Sequence, residues 1–280
     1  MNNFLIPTDF SDNSLKALDY GARIAVQCGA TLHLVHAFIL LDNVFFETKS
    51  FRDAYNKNQA DEYSAALFRI QNEYQEKYPG LSMEVHLFSG PSQQVLLQYT
   101  TDKNIDLVIM GTKGATGLAE VVVGSNTALM IELSKVPVLA IPEICDTDKP
   151  EGVVLATKFF ERDKTLLNPV FELAEIFKIP IHVFVYESDS DSDADIEDTD
   201  IKLRQYNTYL QSCYPAATLM ASHREGEDFE LAIADFCEEN NIGIICMLTK
   251  KRSFLEQLFN PSLTKKMAYH STIPLLAIPC

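Results

Sequence analysis

One stretch of this chain, MGTKGATGLAEVVVGSNTALMIEL, has residue types and a spacing suited to holding a phosphate chain. Two residues separate Gly111 from Gly114, nine separate Gly114 from Gly124, and Ser125 follows at once. Phosphate oxygens must come close to backbone N–H groups, and a side chain at those points would block the approach. Gly124 and Ser125 open a predicted helix, whose first N–H groups lack partners and whose dipole favours an anion. Ser125 can cap that helix, and its hydroxyl or that of Thr127 can face a phosphate. The stretch lacks GKS or GKT, so it is not a Walker A loop, and it is not GxGxxG.

The surrounding elements alternate. FLIPTDFS, TLHLVHAF, LSMEVHLF, IDLVIMG and VPVLAIP read as strands. Between them SLKALDYGARIAVQCG reads as a helix ending at Gly29, a second helix runs to about Lys77 after a polar insert over 39–60, and others start at Ser92 and Ser125. Near-continuous apolar strands such as IDLVIMG belong in a parallel sheet covered on both faces. The glycine stretch follows that strand, where open α/β sheets bind ligands. The second half repeats the order: GVVLATKF, IPIHVFVYE, NIGIICMLTK and STIPLLAIPC match NFLIPTDF, TLHLVHAF, NIDLVIMGTK and SKVPVLAIPE. The expected fold is two tandem doubly wound, mostly parallel five-stranded sheets with helices on both faces. The expected domains are 1–146 and 151–280, joined through the polar stretch 144–152.

Gly-x2-Gly-x9-Gly-Ser, together with Asp9 in IPTDFS and the ending VPVLAIP, resembles the ATP-binding pattern of the universal stress protein family. The resemblance covers essentially the whole chain, twice. It implies that Pro7, Thr8 and Asp9 line the adenosine end of a bound ATP, that Ala37 touches the base, and that Met110 packs under it. It implies that Gly111, Gly114, Gly124, Ser125, Asn126 and Thr127 hold ribose and phosphates, with Mg²⁺ bridging the phosphates. The residues alone leave a second role open for Asp9, because Asp9, Ser11 or Asp12 could each cap the first helix. A regulatory, ATP-binding protein of the stress response is the function implied, with at most slow hydrolysis or autophosphorylation. The alternative is an interaction protein that works without nucleotide through its paired domains and an acidic loop.

The second copy is eroded. Leu248 stands where Gly111 does, Lys251 where Gly114 does, Pro261 where Gly124 does and Lys158 where Asp9 does, while Ser262 keeps the serine. Side chains now occupy the points of backbone approach, so no ATP is expected there. The fifth strands, VPVLAIP and IPLLAIP, are short and apolar, and an exposed edge of that kind invites pairing. In the resembling family fifth strands pair antiparallel between subunits, which implies an intramolecular pseudo-dimer here and leaves a homodimer of whole chains open.

Charge and composition narrow the classes further. The net charge is −16, with eight acids within 187–200. So acidic a chain is not expected to bind nucleic acid, which needs clustered Lys and Arg. The acidic segment is expected to be a solvated loop. A calcium loop starting at Asp189 would need Gly where Ala194 stands and Glu where Asp200 stands. Six cysteines without a CxxC pair predict free thiols. MNNFLIPTDFS lacks the features of a secretory leader and no apolar run nears the ~20 residues of a membrane span, which predicts a cytoplasmic protein with an unknown protein partner. His33 and His36 should face opposite sides of their strand. His182 repeats His33, and no metal-ligating cluster is legible. Phe45, Phe46, Phe51 and Tyr55 in the insert are expected to cover the nucleotide or the core, or to form an interface.

Overall fold

The computed structural model describes residues 1–41, 48–112, 125–145, 149–188, 193–249 and 272–280. The first half contains β1 (Asn3–Pro7), α1 (Asp12–Cys28), β2 (Thr31–Phe38), α2 (Lys49–Lys77), β3 (Ser82–Ser89), α3 (Ser92–Asp102), β4 (Leu107–Gly111), α4 (Ser125–Leu133) and β5 (Val138–Ile141). The second contains β6 (Val153–Ala156), α5 (Lys164–Phe177), β7 (Ile181–Ser188), α6 (Asp193–Cys213), β8 (Leu219–Gly226), α7 (Phe229–Glu239), β9 (Ile244–Thr249) and β10 (Leu275–Pro279).

The strands form one sheet in the order β3-β2-β1-β4-β5-β10-β9-β6-β7-β8. Pairing is parallel within each half. β5 and β10 meet antiparallel, with Leu139 opposite Leu276. The fifth strands of one chain therefore pair with each other, and the two five-stranded sheets become a single sheet of ten strands. Each fifth strand loses an open edge in the process. The chain order reverses between β1 and β4, and again between β6 and β9, which opens a crevice at the carboxyl ends of those strands.

Apolar spacing decides which face each helix covers. Ala17, Leu18 and Ile24 of α1, Leu67 of α2, Leu167 of α5 and Leu203 of α6 share one continuous core on one face, spanning both halves. On the other face α3 and α4 bury Leu96, Tyr99 and Met130 in the first half, and α7 buries Ile233 and Phe236 in the second. The ends of α1 follow from local chemistry. Ser11 accepts the Ser14 N–H at the start, and Gly29 closes the helix at φ 74, in the left-handed region where glycine is unstrained.

Two expectations need correction. The stretch 39–60 is not all insert, because α2 begins at Lys49 with Thr48 accepting the Phe51 N–H. Phe51 and Tyr55 lie on that helix, 73% and 43% exposed, so they do not cover the core; Phe45 and Phe46 lie outside the described residues. The acidic segment is not a continuous loop either. β7 runs to Ser188 and α6 starts at Asp193, and acids in the first turns of a helix are favoured by its dipole.

Candidate functional site

The crevice of the first half collects the predicted residues from four chain segments. Pro7 ends β1, with Thr8 and Asp9 just beyond it. Ala37 is the penultimate residue of β2, Met110 and Gly111 end β4, and Ser125, Asn126 and Thr127 form the first turn of α4. Hydrogen bonds tie these ends together. The Thr8 N–H donates to the Val35 carbonyl at 2.9 Å and the Thr112 N–H to that of Ile141 at 2.9 Å. The Thr127 hydroxyl donates to the Gly111 carbonyl at 2.7 Å, which fixes the start of α4 against the end of β4. Gly114, Gly124 and the Ser125 side chain lie outside the described residues.

The turn after β1 is held on every side. The Thr8 hydroxyl is buried, 3.0 Å from the Ser14 hydroxyl, and accepts the Phe10 N–H at 3.0 Å. Phe10 sits at φ 63, a conformation non-glycine residues adopt rarely and only where neighbours enforce it. His36 supplies part of that enforcement, donating from Nδ1 to the Thr8 carbonyl at 2.7 Å. Its ring lies 4.6 Å from those of both Phe10 and Tyr63. Burial pushes the His36 imidazole below its usual range. Asp9 is exposed, and its Oδ1 accepts from the Ser11 N–H at 3.1 Å and the Ser11 hydroxyl at 2.5 Å. Ser11 is the helix cap, and Asp9 steadies it while remaining at the mouth of the crevice.

The geometry changes what some predicted residues do. A Cβ on Gly111 would lie 2.8 Å from Asn13 Cγ, Nδ2 and carbonyl oxygen. Glycine at 111 therefore admits the start of α1. Thr127 is 2% exposed and its hydroxyl donates to the Gly111 carbonyl, so it orders the strand end. Met110 is buried in the α3–α4 core with Leu5, Val35 and Met130. Asn126 is exposed, and its Oδ1 accepts from Gln93 Nε2 at 3.4 Å. Sequence reasoning missed Asn13 and His36; the signal for Asn13 was its place in the first turn of α1, directly beside the strand end.

The second crevice is built differently. Leu248 occupies the Gly111 position and packs against the core, and Lys158 is exposed at the Asp9 position. Pro7 and Ala156 hold equivalent places, facing Val35 and Phe184. The cap of α1, Ser11, comes four residues after Pro7, whereas the cap of α5, Asp163, comes seven after Ala156. Three added residues give α5 a later start after its strand, in the half where a leucine replaces the glycine.

A second constellation was not legible in the sequence. His33 and His36 do face opposite sides of β2, but register places His33 opposite Glu84 of β3, with His86 two residues further along. One ligand atom from each of His33, Glu84 and His86 lies within 4.8 Å of the others. This pairing spans 51 residues of sequence, so spacing along the chain does not reveal it.

Fold and crevice together define a tandem, doubly wound α/β protein whose two halves are joined edge to edge. The model of the universal stress protein family matches residues 1–142 and again 151–279, and the chain belongs to that family. Single-domain relatives align with half of it. Universal stress protein MJ0531 of Methanocaldococcus jannaschii is 26% identical over 137 residues, 49% of this chain and 79% of its own length. Universal stress protein YxiE of Bacillus subtilis is 27% identical over 147 residues, 50% of this chain and 98% of its own. A universal stress protein structure from Archaeoglobus fulgidus superposes with a TM-score of 0.71 at 19% identity, covering 99% of this chain and 96% of its own, so it shares the fold in both halves.

Proposed function

We propose that the first domain binds an adenine nucleotide, ATP with Mg²⁺, in the crevice between β1 and β4, and that the second domain does not. The difference between the two crevices carries this reading. In the first, the strand ends at Gly111 and Asp9 stands exposed at the mouth; in the second, Leu248 and Lys158 take those places. The groups present fit the ligand. An exposed carboxylate at Asp9 suits ribose hydroxyls or the adenine amine, and the first turn of α4 offers N–H groups and a positive dipole end to phosphate. Mg²⁺ would be held by phosphates and water, as is usual for an ion that dehydrates reluctantly. Nucleotide binding would regulate contact with a protein partner.

Isothermal titration of the full chain with ATP and Mg²⁺ tests this, beside a Gly114→Lys variant that imports the second-domain residue. The expected result is one ATP per chain in the parent and none in the variant. A folded, nucleotide-free parent that takes up no ATP would overturn the reading and favour an interaction protein that works without nucleotide.

A further inference from the structure

The other end of the first domain carries a separate constellation. His33 is the third residue of β2, close to its amino end, and points to the α3 side, away from the crevice. Its Nδ1 is 3.5 Å from Glu84 Oε2, and His86 Nε2 is 3.1 Å from the same oxygen. Glu84 and His86 are two apart on β3, so they share a face. We propose that His33 Nδ1, Glu84 Oε2 and His86 Nε2 bind a divalent transition cation of the zinc type, with water completing the shell.

The geometry matches that chemistry. Zinc bonds to nitrogen and oxygen are about 2.0–2.2 Å, so the edges of a tetrahedral site measure roughly 3.2–3.6 Å. Two of the three edges already lie near that range. Two imidazoles with one carboxylate and an open position form a set that borderline cations prefer over Mg²⁺ or Ca²⁺. An outer partner sets the His33 tautomer. The Asn3 amide nitrogen donates to the Asn104 carbonyl at 3.4 Å, which turns its oxygen toward His33 Nε2, also at 3.4 Å. Nε2 therefore carries the proton, and the Nδ1 lone pair faces the site. Orientation of a ligating imidazole through its other nitrogen is a common feature of metal sites. The Tyr99 hydroxyl, 2.9 Å from Nδ1, donates to that lone pair when no cation is bound.

The second domain is an internal control. His182 packs edge-on to Phe236 with ring centres 5.7 Å apart, as His33 packs on Tyr99 at 5.8 Å. Its strand partner is Met220 in place of Glu84, and Ser222 takes the register position of His86. The histidine against an aromatic ring thus belongs to the fold, while the carboxylate, the second imidazole and the tyrosine hydroxyl are additions of the first domain. Because β3 is the outermost strand, a bound cation would clip the sheet edge to β2.

Co²⁺ titration of the chelator-treated full chain, followed by visible absorption and by displacement with Zn²⁺, tests the site. One Co²⁺ per chain is expected, with ligand-field bands, no thiolate charge-transfer band, and a raised thermal midpoint. Glu84→Met with His86→Ser, which imports the second-domain residues, should keep the far-ultraviolet spectrum and lose affinity by about 100-fold or more. His86→Ser alone, at a partly exposed edge position, should show the same loss if the double variant unfolds. Asn3→Ala should weaken binding by roughly 10–100-fold. Absence of stoichiometric uptake, uptake unchanged in the folded variants, or a charge-transfer band reporting cysteine ligands would overturn the proposal.

Discussion

His36 Nδ1 lies 2.7 Å from the carbonyl oxygen of Thr8 and donates to it, joining β2 to the turn that carries Asp9. The bond is buried, and the other ring nitrogen, Nε2, is buried with no hydrogen-bond partner among the described residues. His36→Phe keeps the ring among Phe10 and Tyr63 but leaves the Thr8 carbonyl unsatisfied. The expected cost is about 1–3 kcal/mol, read as a lower midpoint in urea. If ATP binds as proposed, its affinity should fall too, because Asp9 follows Thr8 directly.

Three buried imidazoles give stability a defined pH dependence. Burial is the leading cause that lowers the affinity of His33, His36 and His182 for a proton; Glu84 acts in the opposite sense on His33, while His86 and Lys103 add to the lowering, and at His36 the hydrogen bond to the Thr8 carbonyl and then Asp9 oppose it. The folded chain therefore keeps them neutral where the unfolded chain has begun to protonate. Their contribution is complete above the ordinary histidine value of 6.5. It is lost as pH falls from there through the lower folded values. Denaturation curves at a series of pH values should show a plateau above neutrality and a decline below it. His182→Phe, placed beside Phe236, should make that decline shallower.

Gly111 tests whether the strand end is shaped for ligand or for α1. Gly111→Ala forces a contact with Asn13, where side chain and carbonyl oxygen would both lie 2.8 Å from the new Cβ. Overpacking of this kind costs about 1–3 kcal/mol. Adding Asn13→Ala removes the side-chain contact but leaves the carbonyl, so the double variant should recover part of the loss and show a clear coupling energy. Full additivity between the two substitutions would sink this account of Gly111.

Much of the fold was legible because the apolar strands and the repeat state it directly. Gly29 marked the end of α1, and the two short apolar fifth strands, read with the family resemblance, implied the β5–β10 pairing. The start of α2 was not legible, since its buried residues, Leu67, Ile70 and Tyr74, all come late in the helix. Its first turns face water and carry no apolar period. The acidic segment misled in a similar way, because a run of acids signals both a solvated loop and a helix start. The crevice was legible as a set of strand ends, but not the division of labour within it. Thr127 turns inward and Asn13 crowds Gly111 because of how helices meet strands, which depends on packing. The His33–Glu84–His86 cluster depends on register between strands distant in sequence.

The two halves should unfold as one unit. Leu139 and Leu276 face each other across the β5–β10 seam, both fully buried, within a core that draws on α1 and α5 together. The amino-terminal ammonium reaches Glu172 of α5 at 2.6 Å, and Tyr20 of α1 lies 6.2 Å from Phe177 of α5. Independent domains would need this apolar seam to stay hidden while one side melted. Scanning calorimetry should therefore give a single transition whose calorimetric and van't Hoff enthalpies agree. Leu276→Ala should cost about 2–5 kcal/mol and shift the whole transition, first domain included. A variant that melts in two steps, with the upper step left at the parent temperature, would show that the seam is not what couples them.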